Sequence, residues 1–203
     1  MPGKMIYYQQ LAEAVTRQIA GDAQEWARFL TTAARLYKYP YHEQLLIYAQ
    51  RPDATACAGY DLWNNTMHRY VRRGSKGIAL LSPTAHGVQL RYVFDVADTG
   101  RGRDAREPFL WSLDDKNISA VQAALAEEYD ENAGVPLAEQ LHQAALQVTK
   151  NYFAEHAPEL ADILAEAVAT GYDEDALRGL AAESISYMLA SRCGLQPEIP
   201  AFT

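Results

Sequence analysis

Cysteine is nearly absent from this chain. Its 203 residues hold two, Cys57 and Cys193, set far apart and never as a CxxC. A disulfide framework or a zinc knuckle needs more thiols at closer spacing, so both are expected to be buried free thiols. Long apolar runs are missing too: nothing approaches the roughly 18 to 20 residues of a membrane span. The opening MPGKMIYYQQLAEAV has no apolar signal-peptide core. A cytoplasmic protein with no membrane partner is the expectation. Catalytic signatures are equally scarce. No GxxxxGK[ST] phosphate cradle is present, and His42, His68, His86, His142 and His156 include no HExxH pair. No nucleophile elbow occurs either. The reading is a protein that is not an enzyme and carries no cofactor or metal.

Positive charge is the next shortage, and it is uneven. Residues 107 to 203 hold 4 Lys and Arg against 17 Asp and Glu, whereas residues 1 to 106 hold 14 against 9. The formal net charge of -8 hides a basic first half. Such asymmetry points to a polyanion on one side and a solvated acidic face on the other.

What is present is 49% hydrophobic residues, ample for a packed core. Tyr7, Leu11, Ala14, Val15 and Ile19 fall at helical spacing until Gly21. Asp22 with Glu25 forms a capping-box pattern, and Trp26, Phe29, Leu30, Ala33 and Tyr37 continue an apolar stripe. HEQLLIYAQ predicts a third helix, which RPD ends. From Ala54 to Val96 the period falls to two. VQLRYVFDV aligns Val88, Leu90, Tyr92, Phe94 and Val96 on one face, with Gln89, Arg91 and Asp95 on the other. RYVRRGSKGIALLSP reads as two strands around a turn, with Gly74 and Gly77 supplying positive φ or close approach. Asp95 and Asp98 beside Thr99 read as a loop anchor or capping pair, and DTGRGRDAREP as a mobile loop. Helices are predicted at 117–129, 136–155, 158–170 and 174–192, the last stopped by Gly194. The fold class is α+β, mostly helical: a small antiparallel sheet lies in the first part, 1–111, and helices make up the second, 112–203.

Two stretches could carry function. The first is the basic turn, where Arg69, Arg72, Arg73 and Lys76 offer phosphate contacts and Gly74 and Gly77 let a polyanion approach the backbone. The alternative is a solvated turn. The second is LYKYPYHEQLLIYAQR, where Tyr37, Tyr39, Tyr41 and Tyr48 interleave with Lys38 and Arg51. Rings beside cations are the equipment of single-strand binders, each stacked base worth roughly 1–3 kcal/mol; the alternative is rings that cap the core.

The same residues carry a resemblance. Trp26 in a helix, then Gln44-Leu45-Leu46, Gln50 with Pro52, Ala54 and Thr55, and Gly59-Tyr60 with Trp63 follow one another in order. Arg69, Val71, Arg72, Gly74, Lys76, Gly77 and Ile78 come next, and Phe94, Asp95 and Thr99 close the series. This order, over residues 22–100, resembles the N-terminal single-stranded-DNA-binding domain of ArdC-type antirestriction proteins. That domain also stands at the front of large helicase-like and polyvalent proteins of conjugative elements and phages. LRGLAAESISYMLASRCGL is similar to a helix of that family's metallopeptidase half, which makes Glu183 a relic of a metal ligand. Since HExxH is missing, the resemblance implies a degenerate zincin-like helical scaffold.

The resemblance implies a noncatalytic DNA-binding domain of a mobile-element protein, which prefers single strands to double and belongs to a longer parent chain. Arg69, Arg72, Arg73, Lys76, Lys38 and Arg51 are the expected phosphate contacts, with Gly74 and Gly77 at the turn. Tyr39, Tyr41, Tyr60 and Trp63 are the stacking candidates, Trp63 being equally well a core residue. The rival expectation is a protein-interaction module that uses the acidic helices and has no DNA affinity.

Overall fold

The computed structural model describes residues 2–85, 87–129, 134–171 and 173–200. His86 and the last three residues of IPAFT lie outside the described residues. The chain forms two compact units, Met1–Trp111 and Ser112–Thr203.

The first unit opens with α1 (Pro2–Gly21), α2 (Ala23–Arg35) and α3 (Tyr41–Gln50). The Asp22 carboxylate accepts the backbone N–H groups of Gln24 at 2.7 Å and Glu25 at 3.1 Å, which fixes the start of α2. Phe29 on α2 meets the rings of Trp26, Tyr41 and Tyr48, so α2 and α3 share an aromatic contact. Proline sets both ends of α3: Pro40 precedes it, and Arg51, ahead of Pro52, leaves helical geometry.

Strands β1 (Cys57–Gly59), β3 (Ile78–Thr84) and β4 (Gly87–Asp95) make an antiparallel sheet in the order β1-β4-β3. Ile78, Leu80 and Val93 from this sheet pack with Leu36, Leu46, Ile47 and Ala54 as one core. Each large side chain so buried contributes roughly 1.5–3 kcal/mol. The open edge of β3 is closed at Ala79, whose N–H donates to Gln50 Oε1 and whose carbonyl accepts from Gln50 Nε2, both at 2.9 Å. One amide thus stands in for a neighbouring strand and pins α3 to the sheet.

Three expectations need correction. The basic segment is not a hairpin: β2 (Arg69–Val71) pairs with β5 (Thr99–Arg101) in a separate two-stranded sheet, and the turn after it crosses over to β3. Gly74 takes φ +89°, while Gly77 lies where a Cβ would come within 3.2 Å of both Phe94 and Tyr92. The burial of β4 also departs from the expected alternation, most clearly towards its end. Val93 and Asp95 are buried, whereas Val88 and Tyr92 are exposed. Polar residues of the strand are matched by partners: the exposed Arg91 reaches the buried Glu43 at 2.6 Å, and the buried Asp95 accepts backbone donors from two loops. Finally, the segment read as a mobile loop supplies β5, and its continuation is held by Gly102 N–H on the His68 carbonyl and Arg106 N–H on that of Met67.

The second unit is α4 (Ile118–Tyr129), α5 (Leu137–Glu155), α6 (Ala157–Ala169) and α7 (Glu174–Arg192). Leu137, Leu141, Ala144 and Ala145 of α5 and Ala182 and Ala190 of α7 are buried, so these two helices hold the core. Small residues let them pack closely, whereas no residue of α4 or α6 among those described is fully buried. Gly194 at φ +72° follows the end of α7. Among the described residues no helix is long and apolar enough to cross a membrane. Together the units make an α+β chain, mostly helical, with its sheets in the first half.

Candidate nucleic-acid interface

The two-stranded sheet carries two arginines, and further cations flank it on both sides. Pairing of β2 with β5 sets Arg69 opposite Arg101, Tyr70 opposite Gly100 and Val71 opposite Thr99. Around this ribbon lies an open cleft of about 530 Å³, lined by Arg69, Arg72 and Arg101, by Tyr70, and by the Val96–Gly100 turn. Gly100 leaves room there for the Tyr70 ring, which lies across it and is 54% exposed; a Cβ would displace that ring.

The turn that follows Asp95 organises the cleft. Asp95 is buried, and its carboxylate accepts from Thr55 N–H at 2.7 Å, Ala56 N–H at 3.0 Å and Ala97 N–H at 2.9 Å. Asp98 grips the Arg51 guanidinium with both oxygens at 2.9 Å, and its carbonyl accepts from Arg72 N–H at 2.9 Å and from the Ser75 hydroxyl. Arg72 Nη1 donates to the Ala97 carbonyl at 2.9 Å. The loop-anchor reading of Asp95 and Asp98 holds in this geometry.

The expected contacts separate accordingly. Arg72, Arg73, Gly74 and Lys76 lie exposed on the crossover. Among the described residues no carboxylate is within ion-pair range of Arg73 or Lys76. Arg69 is not a surface cation: it is buried, its Nε on Thr99 Oγ1 at 2.8 Å and its Nη1 on Glu107 Oε1 at 2.9 Å. Arg51 is spent on Asp98 and Asp53, and the bond to Asp98 raises its already high pKa. Trp63, in a π-helical turn at Leu62–Thr66, is 2% exposed with its indole N–H on the Phe94 carbonyl, so it belongs to the core and offers no stacking face.

The tyrosines divide as well. Tyr39 is half-buried, its hydroxyl donating to the Cys57 carbonyl at 2.7 Å and its ring facing Arg91. Burial, with Cys57 adjacent, pushes the Tyr39 pKa up to about 12. Tyr41 is exposed but rests edge-on against Phe29, and Lys38 lies over the ring of Tyr37. None of Lys38, Tyr39 and Tyr41 lines the cleft. Tyr60 is exposed, edge-on to Phe94.

Sequence reasoning missed Tyr70, Arg101 and the cations after it. Arg103 and Arg106 are exposed, and like Arg73 they meet no carboxylate among the described residues. The signal was the RGR of DTGRGRDAREP; its Gly and Arg content disguised a strand. In the second unit Glu183 is exposed on α7, and no three metal-ligating side chains converge among the described residues.

No family model, curated protein or solved structure matches the chain. The likeness to the ArdC-type domain therefore rests on the residues that carry it.

Proposed function

We propose that the first unit is a noncatalytic DNA-binding domain that prefers single strands, working in the cytoplasm within a mobile-element protein of the antirestriction or helicase-associated kind. The observation that carries this reading is the cleft around the small sheet, where Arg72, Arg101 and the ring of Tyr70 meet. Exposed Arg73, Lys76, Arg103 and Arg106 on the two flanking segments extend the positive surface. Cations at this density bind phosphates, and a ring beside them gives an unpaired base a stacking face. The resemblance to the ArdC-type domain points the same way.

A fluorescence anisotropy titration with a labelled oligothymidylate at low ionic strength tests the proposal. Binding should weaken steeply with salt and disappear in the double variant Arg72→Glu, Arg73→Glu, whose melting temperature stays near that of the parent. A folded double variant that binds normally would move the site elsewhere.

A second reading has its own support. Val148, Tyr152, Phe153, Ala181 and Ile185 line an apolar cleft of about 270 Å³ between α5 and α7, in a unit rich in Asp and Glu. Charge complementarity selects a basic amphipathic helix as its occupant. Titration with a Lys/Leu amphipathic peptide should then show saturable binding that Tyr152→Asp removes, and no binding rejects this reading.

A further inference from the structure

We infer that Arg69 and Arg101 form a phosphodiester seat that the free chain fills with its own Glu107. The inference rests on the DNA-binding reading and deepens it. Two arginines stand directly opposite one another on β2 and β5, an arrangement that like-charge repulsion opposes unless an anion lies between them. Here that anion is Glu107, whose Oε1 takes both Arg69 Nη1 at 2.9 Å and Arg101 Nε at 2.7 Å.

The two arginines differ in a way that suits a seat. Arg69 is fixed by its second bond to Thr99, whose own hydroxyl donates to the Val96 carbonyl at 2.7 Å. Arg101 is free to adjust, its side chain 71% exposed. Glu107 is 54% exposed and lies beyond β5 in a segment without regular structure, so its side chain can leave while the backbone stays held at Arg106. A single carboxylate oxygen serves two guanidinium groups poorly. The two nonbridging oxygens of a phosphodiester can give each its own acceptor, and both arginines are among the residues that line the cleft. Glu107 acts as an internal competitor that a nucleic-acid backbone displaces.

Glu107→Gln tests this, because the glutamine oxygen can still accept from Arg69 while the competing charge is gone. The variant should bind labelled oligothymidylate about five- to tenfold more tightly, the reciprocal of the fraction of time that Glu107 leaves the seat open. In an Arg101→Ala background the same substitution should give no gain. Arg101→Ala alone should weaken binding and make the salt slope shallower by about 0.7, one phosphate contact on a single strand. Folded Glu107→Gln that binds no better than the parent, a gain that persists without Arg101, or Arg101→Ala with an unaltered slope would each overturn the seat. In those cases a parent chain that still binds, and loses binding with Arg72→Glu and Arg73→Glu, leaves the DNA-binding reading intact. A parent chain that does not bind overturns both.

Discussion

The indole Nε1–H of Trp63 donates to the carbonyl oxygen of Phe94 across 2.8 Å, joining the π-helical turn to the end of β4. The bond makes Trp63 part of the framework behind the cleft. Trp63→Ala should cost about 3–5 kcal/mol in a urea melt, the range for emptying a buried aromatic site. Trp63→Phe keeps much of the ring but leaves a carbonyl without its donor, a loss of about 1–3 kcal/mol. DNA affinity of the folded phenylalanine variant should equal that of the parent; a specific loss of affinity would restore Trp63 as a stacking residue.

Asp95 offers a sharper stability test. Its removal in Asp95→Ala strands the backbone N–H groups of Thr55, Ala56 and Ala97, which have the carboxylate as their partner. Thr55 and Ala56 are half-buried and Ala97 is exposed, so two donors bear most of the cost, and at about 1 kcal/mol or more for each the variant should lose about 2 kcal/mol or more. Calorimetry that finds a loss below 1 kcal/mol would mean that water replaces the carboxylate there.

Gly100 and Tyr70 form a separable pair. A Cβ at residue 100 cannot coexist with the ring of Tyr70, but that ring is the exposed end of a movable side chain. Gly100→Ala should therefore fold with a small drop in melting temperature and bind oligothymidylate several-fold more weakly, because the stacking face is displaced. Tyr70→Ala should match it. If both variants bind as the parent does, Tyr70 is not a platform.

Alkaline pH probes the core near β1. Burial first, and then the charge of Asp95, pushes the Cys57 thiol from 9.0 up to about 12; burial raises the Tyr39 hydroxyl from 10.0 to about 12. Both groups keep their protons longer in the folded chain than in the unfolded one. Their contribution to stability is complete below pH 9 and is lost as pH rises from 9 towards 12. Urea midpoints should fall across that interval, and Cys57→Ala should move the onset towards pH 10, where unfolded tyrosine begins to ionise. Midpoints unchanged up to pH 11 would contradict this account.

The helices were legible because their signals are local. Asp22 caps α2 through atoms two and three residues away, Pro40 and Pro52 bound α3, and the stripe of α7 repeats within one element. The site was legible only in part. Arg72, Arg73 and Lys76 could be named from charge density, but Arg101 and Tyr70 acquire their meaning from the pairing of two strands that lie far apart in the chain.

Composition and periodicity by themselves determined the α+β class, the basic first half, the acidic helical second half and the cationic segment from Arg69 to Lys76. Tertiary structure alone decided strand partners, because alternation specifies which residues share a face and says nothing of which strand lies alongside. It paired β2 with β5 instead of β3, turned Val93 and Asp95 inward in place of Tyr92, and buried Arg69 and Trp63. A charge or a ring becomes a contact surface only if no closer group claims it. Asp98 claims Arg51, Phe94 claims Trp63, and Glu107 shares Arg69 with Arg101 at the edge of the cleft.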